Sequence, residues 1–153
     1  MEDFQCLKKE QLHTYNFNKW PTSLLHEIRK VIGKPYKFNC FDTSGFDCYT
    51  LIYYLYSCIG IKLPKENIAK FSLKQHVKLI QKHSLLFKKV DFEDRQPFDI
   101  LIFETKDGIN AHLGLVLDKF NFIHTTEEKP VVIEPFLGNY ETTTIRAVYR
   151  WNS

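Results

Sequence analysis

Three side chains of this sequence have the types and spacing for cysteine chemistry: Cys48, at the head of the apolar run Thr50 to Ile61, and His112 and His124, on two neighbouring strand-like segments. If Cys48 opens a helix, Leu51, Ile52, Leu55 and Ile59 follow at i+3, i+4, i+7 and i+11, so the thiol sits at the top of a buried helix. A helix N-terminus carries partial positive charge and unpaired N–H groups, and both favour a thiolate. Alone, a cysteine there reads as a small apolar core residue. A partner base changes that reading. In the segment 111–124, a short loop centred on Asp118 pairs residues whose numbers sum to 236, matching Val116 with Phe120, Gly114 with Phe122, and His112 with His124. Directly opposed side chains stand about 4.5–5.5 Å apart at Cβ, so His124 orients His112 and His112 takes the thiol proton. A slip of one residue at the turn removes that opposition. The competing chemistry of the same residue types is a zinc site of Cys48, His112 and His124, with Cys40, although the spacing matches no standard zinc pattern. His13, His26, His76 and His83 fall in the N-terminal arm or on and near polar helix faces and receive no role.

The elements that must position these groups are legible in the hydrophobic pattern. Residues 1–20 read as an irregular arm and residues 21–153 as one domain. Leu24, Leu25, Ile28, Val31 and Ile32 make a first amphipathic helix that Gly33 should stop. The small polar residues Asn39 to Gly45 form the loop that delivers Cys48, with Asp47 as a helix cap, and Gly60 and Pro64 bracket the end of the nucleophile helix. Between Pro64 and Ser84 a surface helix is expected, with Ser72 to Gln75 as its capping box and Leu73, Val77 and Ile80 as its apolar stripe. Strand-like segments follow at 85–90, 99–104, 111–117, 120–126, 131–134 and 144–150, separated by turn residues as in an antiparallel meander. Helices first and strands afterwards predict an α+β domain.

At 153 residues with 44% hydrophobic content, including 13 Phe and 8 Tyr, the chain is long and apolar enough to bury a core rich in aromatic rings. A net charge of +3, with lysines scattered through 62–89, suits contact with a polyanionic surface but carries no nucleic-acid motif. Cys6, Cys40, Cys48 and Cys58 show no paired spacing and read as reduced thiols. The N-terminal residues do not resemble a signal peptide, and the longest apolar run, 51–61, is too short to span a bilayer.

The motifs together resemble the NlpC-type cell-wall peptidases. Ile32 to Phe38 is similar to that family's G-x-P-Y stretch, Ser44 to Cys48 to S-G-x-D-C-S-G-L, and Gly60 to Pro64 to G-I-x-L-P. Further on, Pro97 to Phe103 resembles P-G-D-L-V-F-F, Ala111 to Leu115 H-V-G-I, and Phe122 to Thr125 F-I-H-A. The resemblance runs from about Val31 to the C-terminus. It implies a papain-like fold, in which the nucleophile helix packs on an antiparallel sheet of about five or six strands. It also implies the catalytic set Cys48, His112 and His124, a site tyrosine at Tyr36, no cofactor, and hydrolysis of peptide bonds in peptidoglycan stem peptides. The ending from Val131 to Trp151 looks most like the branch found with phage tails. That likeness implies a protein made in the cytoplasm and delivered to the bacterial cell wall by a virion or secretion particle, whose proteins would be its partners, without membrane insertion.

Two departures bear on the site. Tyr49-Thr50 replaces Ser-Gly after the nucleophile, so Tyr49 is expected to crowd the pocket and, with Tyr36 and Asp47, to border the substrate. Phe98 replaces the glycine before Asp99, which predicts a changed turn. The crowding keeps open a structural tail or scaffold subunit without turnover, and the scaffold also admits an amidase or acyltransferase.

Overall fold

The structure, a computed structural model, describes residues 20, 22–66, 68–70, 73–83, 85–105, 111–136 and 144–152. Its helices are α1 (Thr22–Val31), α2 (Cys48–Cys58) and α3 (Leu73–Lys82). Its strands are β1 (Phe87–Val90), β2 (Ile100–Glu104), β3 (Ala111–Val116), β4 (Asn121–Thr126), β5 (Lys129–Pro135) and β6 (Ile145–Trp151). The expected arm lies outside the described residues except for Trp20, which is buried against Phe98. The expected capping residue Ser72 also lies outside them.

All six strands form one antiparallel sheet in the order β1-β6-β2-β3-β4-β5. From β2 to β5 this is the predicted meander. The last strand departs from it by inserting between β1 and β2, where Arg150 grips the fully buried Asp99 with two hydrogen bonds of 2.9 Å. Side-chain alternation divides the sheet into two faces. Ile102, Leu113, Leu115, Ile123 and Val131 face the helices, whereas Leu101, Phe103, Val116, Phe122 and Val148 make a second cluster with Phe136.

Helix α2 is the central element. Leu51, Ile52, Leu55 and Ile59 are buried, as the periodicity requires, but so are Tyr49, Thr50, Tyr56 and Cys58. It packs on β3 and β4 on one side and α1 on the other, which is why its apolar residues run nearly all round. In α3 the inward face is displaced from the expected stripe: His76 is buried, and His76, Leu79, Ile80 and His83 line a cavity of about 60 Å³ with Tyr49, Ile52 and Leu113 among the other walls.

The turn before β2 has left-handed backbone at a residue that is not glycine. Phe98 has φ +70°. Its ring sits 5.5 Å from both Trp20 and Tyr56, its N–H donates to Val116 O at 2.8 Å, and its carbonyl accepts the Tyr56 hydroxyl at 2.5 Å. Packing and hydrogen bonds hold at Phe98 a conformation that a bulky side chain ordinarily avoids.

Candidate active site

Asp47 stands just ahead of α2 with extended backbone (φ −96°, ψ −177°) and builds its first turn. Oδ1 accepts the N–H groups of Tyr49 at 2.9 Å and Thr50 at 2.8 Å, while the Thr50 hydroxyl accepts the Asp47 N–H at 2.8 Å. This reciprocal cap satisfies donors that a helix start leaves open. Oδ2 accepts Asn39 N–H at 2.6 Å, fastening the preceding loop to the helix. Both Asp47 oxygens are thus engaged in holding the helix start and its preceding loop, and the residue is 2% exposed.

The Cys48 thiol lies just inside this cap, 4% exposed. Burial pushes it up to about 12, against the N–H groups of Leu113, Cys48 and Tyr49, which favour the thiolate. The expected activation by the helix terminus is therefore outweighed in the resting site: desolvation is larger than the stabilisation those donors return. The thiol donates to Ala69 O at 3.7 Å. Among the described residues no hydrogen bond joins it to the His112 ring.

Tyr36 reaches the same place through a close backbone approach. Lys37 N–H donates to Phe46 O and Phe46 N–H to Pro35 O, each at 3.0 Å, so Tyr36 bridges to Phe46. A Cβ on Gly45 would lie 2.7 Å from Pro35 O and 2.6 Å from Lys37 Cγ, so glycine is what lets the two segments meet. The half-buried Tyr36 phenol is pushed up by burial first, then by the charges of Cys48, Asp47 and Glu127. At the rim, Lys70 pairs with Glu127 at 3.7 Å and lies 4.6 Å from the Phe38 ring centre. The ring of Tyr49, expected to crowd the pocket, is buried as a wall of the cavity under α3, and its hydroxyl donates to Pro64 O.

The histidines come together by a different register from the one predicted. Leu115 faces Ile123 and Val116 faces Phe122, so paired numbers sum to 238. Continued, this places His124 across from Gly114, two residues along from His112. A shift of two preserves the face on which each side chain lies, and the diagonal pair meets: His112 Nε2 and His124 Nδ1 are 2.7 Å apart. Gly114 makes the room, since a Cβ there would stand 3.0 Å from the Phe103 ring and 3.7 Å from His124 Cβ. His112 is brought down to about 3 by burial, reinforced by the electrostatic influence of His124, His76 and Lys129. Thiol and imidazole are consequently both neutral at rest.

Beyond the predicted residues, His124 Nε2 bonds Glu134 Oε2, and Lys129 Nζ donates to Glu134 Oε1 at 2.9 Å. Burial pushes the Glu134 carboxyl up, but the hydrogen bonds from Lys129 and His124 outweigh it and hold the group below its usual range. The sequence held a signal for Glu134: in a β4–β5 hairpin it lies on the same face as His124, two residues on from its partner Val132. His76 gave no such signal, because a histidine on a lysine-rich helix reads as solvent-facing. Among the described residues no cluster of three His, Cys, Asp or Glu side chains is arranged to hold a metal ion, and both ring nitrogens of His124 are already engaged. No helix among them is long and apolar enough to cross a membrane.

Comparison with known proteins agrees with this arrangement of elements. The model of the NlpC/P60 family matches residues 33–150. A probable endopeptidase p60 of Listeria grayi is 25% identical over 118 residues, 77% of this chain, and the chain spans only 20% of that curated relative's length. Among solved structures, the NlpC/p60 domain of the peptidoglycan hydrolase SagA is similar with a TM-score of 0.58 at 19% identity, covering 83% of this chain and 95% of that one. RipD of Mycobacterium tuberculosis, described as a non-catalytic NlpC/p60 domain protein adapted to peptidoglycan binding, has a TM-score of 0.54 at 16% identity, with 82% and 92% covered.

Proposed function

Because the chain belongs to the NlpC/P60 family, whose members are in general cysteine peptidases acting on peptidoglycan, we propose that it hydrolyses peptide bonds in peptidoglycan stem peptides. The observation that carries this reading is the 2.7 Å bond between His112 and His124, on a sheet whose β3 and β4 pack against the helix that Cys48 opens. A base, its orienter and a nucleophile at a capped helix start are the parts that thiol catalysis needs.

With the thiol at about 12 and the imidazole at about 3, no thiolate–imidazolium pair stands ready. Substrate must take the place of the Ala69 carbonyl, and the thiol proton passes to His112 as sulfur attacks the scissile carbonyl. The Cys48 N–H and the Tyr36 hydroxyl are the donors available to the oxyanion. His112 then protonates the leaving amine, and water releases the acyl group from sulfur.

Purified peptidoglycan incubated with the protein should release new amino termini, and Cys48→Ala should abolish them; equal release by both proteins, or none by either, defeats the proposal. Association with a phage tail or related particle rests on the likeness of the 131–151 ending alone. A second reading, a peptidoglycan-binding subunit without turnover, is favoured by the thiol's bond to Ala69 O in place of His112. It predicts that wild type and Cys48→Ala sediment equally with peptidoglycan and release nothing.

A further inference from the structure

We propose that Glu134, held in place by Lys129, is a positioning residue that sets the tautomers of the His124–His112 pair so that His112 keeps Nδ1 unprotonated. A carboxylate can only accept hydrogen bonds. Its contact with His124 Nε2 therefore requires the proton on that nitrogen, which leaves Nδ1 of a neutral His124 with a lone pair. With His124 neutral, its Nδ1 lying 2.7 Å from His112 Nε2 takes the hydrogen of that bond from His112 Nε2. Its single ring proton is thereby assigned, and Nδ1 is the free base. Lys129 makes the assignment one-way: donating to Oε1 at 2.9 Å, it turns Oε2 toward His124 and keeps the carboxylate ionised. The side chain of His124 is fully buried and that of Glu134 is 18% exposed, so little water competes for either.

The kinetic side of this inference rests on the cysteine-peptidase reading; the tautomers do not. Glu134→Gln tests it because Lys129 still demands an oxygen, so the amide carbonyl turns to Lys129 and the NH2 donates to His124 Nε2. His124 then carries its proton on Nδ1 and donates to His112 Nε2, and the proton of His112 moves to Nδ1, where the base was. Nitrogen-15 spectra of the imidazoles at neutral pH should show His112 protonated at Nε2 in the wild type and at Nδ1 in Glu134→Gln. In the double variant Lys129→Met/Glu134→Gln the amide is free to turn, and His112 should regain the Nε2 proton. Turnover of peptidoglycan, where present, should fall at least about tenfold in Glu134→Gln through kcat with little change in KM, and recover in part in the double variant. A wild-type His112 protonated at Nδ1, or a tautomer unchanged by Glu134→Gln in a protein whose amide spectrum shows it folded, overturns the assignment. The predicted tautomer switch in a protein without turnover would uphold it while defeating the peptidase reading.

Discussion

His76 is buried and His112 partly buried, and loss of solvation lowers them to about 4 and about 3, which leaves both rings neutral near pH 7. In the unfolded chain each titrates near about 6.5, so between there and the folded values the unfolded state binds protons that the folded state refuses. The stability contributed by the neutral rings is complete above that range and is lost as pH falls through it, by up to about 1.4 kcal/mol per pH unit for each histidine. His76→Gln should lower the proton uptake on unfolding between about pH 6 and 4.5 by nearly one proton. Urea titrations at a series of pH values measure this, and an unchanged slope would show that His76 is not held neutral by burial. The same desolvation acts on Cys48 with the opposite consequence for charge: a neutral acid stays neutral to higher pH, a neutral base to lower pH.

The turn into β2 gives an element-level test of packing against backbone strain. Phe98 occupies left-handed backbone, a conformation that costs a residue with a Cβ about 1–2 kcal/mol, and it stays there because its ring is held by Trp20 and Tyr56. Removing the ring should cost about 3–5 kcal/mol. Phe98→Ala bears that loss and retains the strain, whereas Phe98→Gly loses the ring but relieves the backbone. Glycine should therefore be the milder substitution by about 1 kcal/mol, the reverse of the order found within helices and strands. Thermal unfolding of both variants decides it, and an alanine variant at least as stable as the glycine variant would show that the positive φ is not strained. Because this turn leads directly into β2, the partner of the His112 strand, its rigidity bears on the site.

Across the molecule, the insertion of β6 makes the sheet depend on its last strand. Among the described residues β1 pairs only with β6, and β6 pairs along β2, where the Arg150–Asp99 pair adds to the strand pairing, with Asp99 fully buried and Arg150 nearly so. Arg150→Met would strand an uncompensated carboxylate and should cost about 3–5 kcal/mol. Asp99→Asn/Arg150→Met should recover much of that, because it removes the buried charge along with its partner. A denaturant-measured double-mutant cycle checks both, and additive losses would show that the pair is not coupled.

Much of this was legible from residues alone. The capped start of α2 follows from Asp47, its burial from Leu51, Ile52, Leu55 and Ile59, and the six strands from strand-like segments bounded by turn residues, all of which are local patterns. Even the shared face of His112 and His124 was available, since strand parity survives a shift of two. The remainder depended on contacts between segments far apart in the chain. Whether the two rings oppose directly or diagonally was set by the turn at Asp118 and by the space above Gly114, and the depth of His76 by the packing of α3 on the sheet. Cys48, read from sequence as a thiolate favoured by its helix, has its thiol pushed up by burial in the folded site. The helix end is encoded nearby, but desolvation is produced by everything that surrounds the sulfur, Ala69 and Leu113 included, and only the assembled fold brings those together.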